Sequence, residues 1–172
     1  MASLMEDLIS ILSQENKEYK TLLGLSSKKT PIIVKGDLEA LAAITDEEQC
    51  VVAKIAALEK KRQVAMRDVA NVLNKDVKTL KLTSLVRMLD KRPEEQRKLS
   101  TERDNLRDVA SNVNRVNAQN RALLENSLEM VEFEMNILQS SKRAPESANY
   151  TKLAGTSGDA IGLDSGRFDQ KQ

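Results

Sequence analysis

The chain has no histidine and a single cysteine, Cys50. Without imidazole there is no His-based general acid or base, no Ser–His–Asp triad and no His-liganded metal site. One cysteine closes no intrachain disulfide and builds no Cys-rich zinc site. Aromatic residues are 2% of the sequence: Tyr19, Phe133, Tyr150 and Phe168. A compact core normally draws on aromatic bulk. Here the interior must come from Leu, Ile, Val, Met and Ala, a composition that suits long amphipathic helices sharing narrow seams. The expectation is an all-α fold.

Excess charge of one sign is also missing. Lys plus Arg number 27 and Asp plus Glu 26, a formal charge of +1. Broad nucleic-acid binding needs clustered positive charge, and the basic stretches Lys60-Lys61-Arg62, Lys91-Arg92 and Lys142-Arg143 are short and sit beside acids or at helix ends. No apolar run approaches the roughly 20 residues of a membrane span. Met1 to Asp7 carries two acids and no base, unlike a secretory signal peptide. These features predict a cytoplasmic protein, and 172 residues suffice for one domain.

What is present is charge and helical periodicity. Charged residues make up 31% of the chain, against about 25% in ordinary soluble domains. Four of the glycines fall between Gly155 and Gly166, so the chain is almost free of helix breakers up to about Ser140. This contrast predicts a helical body over residues 1–140 and a flexible tail over 141–172.

Within the body, Leu4, Leu8, Ile11, Leu12, Tyr19, Leu22, Leu23 and Leu25 recur at helical spacing, with Glu15 and Glu18 interrupting the stripe. Pro31 predicts a kink or an early end near Lys29. Lys35-Gly36-Asp37 reads as a stop and restart, with Asp37 capping the next helix. Thr45-Asp46-Glu47-Glu48 fits a capping box, which either restarts a helix or lies inside a continuous one. Val51, Ile55, Leu58, Arg62, Ala65, Val69 and Val72 then form a heptad seam with one charged member.

Asn74-Lys75-Asp76 marks a break, and Thr83-Ser84 can cap a short helix over Leu85 to Leu89. Pro93, followed by Glu94 and Glu95, starts a long helix to about Ser140. Its seam is Leu106, Val109, Val113, Val116, Asn120, Leu123, Ser127 and Met130, with Ile137 a heptad further. The result is a long helical hairpin or bundle, with three main helices antiparallel to one another and short connecting helices.

Few residues offer chemistry. A di-metal carboxylate site in a helical bundle needs Glu-x-x-His pairs, which this chain cannot supply. Cys50 reads as a small structural residue. More informative is the apolar ridge of Leu123, Leu124, Leu128, Met130, Val131, Phe133, Met135, Ile137 and Leu138. It either packs on the similarly broad Leu4 to Leu12 segment or forms a surface for a partner helix. In the tail, Tyr150 and Phe168 are candidate anchors for a partner.

The opening helix, the Val34-Lys35-Gly36-Asp37-Leu38-Glu39-Ala40-Leu41 turn, Thr45-Asp46-Glu47-Glu48 and Leu58-Glu59-Lys60-Lys61-Arg62 occur in an order that resembles flagellar export chaperones of the FlgN type. The long last helix and the tail around Asn149-Tyr150 extend the resemblance over residues 1 to 155. It implies a cytoplasmic chaperone, with no cofactor, that binds helical terminal segments of flagellar hook-associated proteins and delivers them to the type III export gate. The resemblance implies that the last helix and tail bind cargo, which makes Leu123, Leu124, Leu128, Val131, Met135 and Leu138 of the apolar ridge the expected cargo contacts, and that Tyr150, matching the family's tail tyrosine, docks at the gate. Two other readings compete. One is a self-associating coiled-coil scaffold, against which the breaks at Gly36, Asn74 and Pro93 weigh. The other is an enzyme, disfavoured by the lack of histidine, phosphate loops and paired-acid motifs.

Overall fold

A computed structural model describes residues 2–77 and 80–142. The described residues hold four helices and no strand: α1 (Ala2–Lys35), α2 (Leu38–Val72), α3 (Leu82–Met88) and α4 (Pro93–Lys142). By internal contacts the chain divides into Met1–Leu128 and Glu129–Gln172. Tyr150 and Phe168 lie outside the described residues.

Helix α1 does not end early at Pro31; it continues to Lys35. The missing proline N–H costs one hydrogen bond, but Ile33 beyond it is buried and anchors the last turn. The helix stops where Gly36 adopts a left-handed φ of 68°, a conformation cheap only for glycine. The amides of Gly36 and Asp37 donate back to the carbonyls of Ile33 and Ile32, at 3.0 and 3.3 Å. Asp37 is extended, and its carboxylate accepts from the Ala40 amide at 3.0 Å, so it caps α2 as expected. The Thr45 box lies inside continuous α2, where the Thr45 hydroxyl donates to the Leu41 carbonyl at 2.7 Å. Asn74, at φ 55°, breaks the chain after α2.

The antiparallel hairpin is α1 against α2. Leu22 of α1 packs with Val51 and Ile55 of α2 and with Val113 of α4. A larger cluster joins Met5, Leu8 and Leu12 to Ala65, Val69, Leu85 and Leu99. Leu99 thus sits by Leu8 and Leu12, Val113 by Leu22, and Asn120 by Ser26. Rising numbers on both helices show that this part of α4 runs parallel to α1.

Several expectations need correcting. The Leu4 to Leu12 segment does not cover the ridge at Leu123 to Leu138; its partners are Leu99, Ala65, Val69 and Leu85, because α4 is parallel to α1. Val72 is 54% exposed. After Val69 the buried face advances by four residues to the partly buried Leu73, which turns Val72 outward. Helix α3 starts earlier than expected, at Leu82, and its N-cap Lys81 makes no side-chain cap bond. Cys50, read as a small structural residue, is exposed.

Candidate partner-binding site

Polar groups that interrupt the apolar stripes find one another across the helices. Glu15 is fully buried, and its Oε1 accepts from Nε of Arg62, the charged seam member, at 3.0 Å. Glu15 Oε2 and Asn16 Oδ1 are buried without a hydrogen-bond partner. Burial outweighs Arg62 and holds the Glu15 carboxyl above its usual pKa of 4.5. One turn on, the Tyr19 hydroxyl donates to Glu59 at 3.4 Å; burial first, and Glu59 second, raise its pKa. Further along, Glu48 takes bonds from Ser26 Oγ and Lys29 Nζ, at 2.7 and 2.8 Å.

The last of these polar layers belongs to α4. Asn120, 3% exposed, accepts from the Thr30 hydroxyl at 2.6 Å and donates to the Ser26 carbonyl at 2.8 Å. Both functions of its amide are satisfied, which makes the layer specific for one register. Asn120 is also the final buried residue of α4.

The ridge begins at this point. Leu123 and Leu124 are half-buried, and every described residue from Glu125 to Lys142 is exposed. Leu128, Val131, Met135 and Leu138 are 64, 52, 53 and 60% exposed, and Met130, Phe133 and Ile137 are comparably open. Large apolar side chains exposed together on one element mark an interaction surface. Of the site residues expected from the sequence, six therefore share one helix, and the seventh, Tyr150, lies outside the described residues.

Elsewhere, a cavity of about 210 Å³ is lined by Met5, Val69, Leu73, Leu85, Met88, Leu89, Lys91 and Arg92. That lining offers no carboxylate, thiol or hydroxyl group. No group of three or more Cys, Asp or Glu side chains among the described residues could hold a metal ion. No described helix is long and apolar enough to cross a membrane.

A family model described as FlgN protein matches residues 1–158. No curated protein and no solved structure matches the chain. The match spans all four helices and the ridge, and the all-α architecture agrees with it. The chain belongs to the FlgN family, the flagellar export chaperones.

Proposed function

We propose that this chain is a cytoplasmic chaperone for flagellar hook-associated proteins, holding their helical terminal segments unassembled and delivering them to the type III export gate. The observation that carries the reading is the exposed ridge at the end of α4, with Leu123, Leu124, Leu128, Val131, Met135 and Leu138 as the cargo contacts. An amphipathic cargo helix laid on it buries apolar surface worth about 25 cal/mol per Å² before ordering costs. That gain must exceed the entropy lost when a disordered terminus folds onto the chaperone. Binding of this kind needs neither nucleotide nor metal. Tyr150, carried over from the family pattern, is the proposed contact with the gate.

The spacing of Leu124, Leu128, Val131, Met135 and Leu138 in four- and three-residue steps also suits a second copy of the chain. A self-associating scaffold, or a chaperone that rests as a homodimer, is the second reading. Size exclusion with light scattering separates them, run alone and with the C-terminal segment of a hook-associated protein from the same cell. A stoichiometric complex is expected; stable self-assembly that ignores the segment would favour the scaffold. For the gate, Tyr150→Ala should reduce motility while cargo binding stays intact, and unchanged motility would remove Tyr150 from that role.

A further inference from the structure

The ridge is not one continuous apolar face. At about 100° per residue, Leu124, Leu128, Val131, Met135 and Leu138 fall in one sector of α4. Leu123, Met130, Phe133 and Ile137 fall in another, roughly 135° away. Between the two run Ser127, Glu134 and Ser141 at seven-residue intervals, all exposed. The serine hydroxyls bond to their own helix, at the carbonyls of Leu123 and Leu138. Glu134 carries a charge that an apolar helix centred on this line would have to desolvate.

Resting on the chaperone reading, we propose that the end of α4 takes two cargo helices at once, one on each stripe, with the Glu134 line left between them. A single docked helix covers a sector of about 100°, enough for one stripe and not both. The occupants are amphipathic helices with an apolar edge in four- and three-residue steps. Each has a basic residue beside that edge, facing Glu134. The candidate pair is the two terminal segments of one hook-associated protein.

The test uses the full chain and two peptides, the N-terminal and C-terminal segments of a hook-associated protein from the same cell, titrated singly and together by calorimetry. The stripe variants are Leu128→Ser with Met135→Ser, and Met130→Ser with Phe133→Ser. All four side chains are exposed, so the fold should persist, which circular dichroism checks. Simultaneous binding of both peptides is expected, with each double variant losing one of them at least tenfold and keeping the other. If the Met130/Phe133 variant binds like the unmodified chain while the Leu128/Met135 variant fails, the second helix site is refuted and the chaperone reading survives. If neither peptide binds the unmodified chain, both readings fall. A dimer seen by light scattering that only the Met130/Phe133 variant dissolves would assign the second stripe to another copy of the chain and overturn the two-helix proposal.

Discussion

A carboxylate withdrawn from water is costly unless a cation meets it, and removing one partner of a buried pair costs about 3–5 kcal/mol. Glu15 is fully buried while its partner Arg62 keeps 29% of its side-chain exposure, so the lower end of that range applies. Arg62→Leu should destabilise the chain by about 3 kcal/mol in urea unfolding, and replacing both residues by Leu should recover most of the loss. A double variant as weak as Arg62→Leu would show that the pair is not the source. The pH dependence has a definite sign. Because the folded-state pKa of Glu15 lies above 4.5, the folded state binds more protons than the unfolded chain between those values. Its contribution is therefore largest below the unfolded value and declines as pH rises through the folded one. Glu15→Gln should flatten stability against pH above the unfolded value of 4.5; curves that stay parallel to the unmodified chain would contradict the shift. From the sequence, Glu15 and Arg62 were each visible as interruptions of an apolar stripe. Their pairing was not, because it depends on the stagger of two antiparallel helices.

At the scale of the elements, the junction of α1 and α2 follows from local chemistry alone. Gly36 supplies the positive φ and Asp37 the cap. Asp37→Ala should cost about 1 kcal/mol in chemical denaturation, and Asp37→Ser much less. Equal losses would mean that the side chain does more than cap. Pro31 contradicts local expectation, since α1 continues beyond it. A proline in a helix interior costs about 3 kcal/mol relative to alanine. Its place near the helix end lowers the figure, so Pro31→Ala should stabilise the chain by about 1–2 kcal/mol. No gain in the unfolding midpoint would indicate that the packing of Ile33 depends on the proline. Thr45 shows the opposite limit: a capping-box pattern sits mid-helix because the chain before it is already helical and Glu48 is engaged by Lys29 and Ser26.

For the whole molecule, the direction of α4 decides which apolar side chains are core and which are surface. Parallel to α1, it spends Leu99, Val109, Val113 and Val116 on the hairpin and has its last buried position at Asn120. Asn120→Ala should cost about 1–3 kcal/mol, because the buried amide's bonds to the Thr30 hydroxyl and the Ser26 carbonyl are both lost. Thermal unfolding at an unchanged midpoint would show that the layer is dispensable. Leu128→Asp with Met135→Asp should leave helix content and stability within about 0.5 kcal/mol of the unmodified chain, as exposed substitutions do. The same variant should abolish binding of the C-terminal cargo segment. Loss of the fold in that variant would identify the ridge as core.

The amino-acid sequence alone determined the helical class, the breaks at Gly36, Asn74 and Pro93, and the seam members from Val51 to Val69 and from Val109 to Asn120, whereas the expected members Val72, Ser127, Met130 and Ile137 are exposed. These depend on periodicity and on what each residue does to its own backbone. It also displayed the ridge, since apolar side chains show their spacing whether or not anything covers them. Only the tertiary structure decided that the ridge is exposed, that Leu4 to Leu12 is occupied elsewhere, and that Glu15 meets Arg62. Those outcomes depend on helix direction and stagger, set by the sum of many contacts between residues far apart in the chain, and no local pattern encodes that sum.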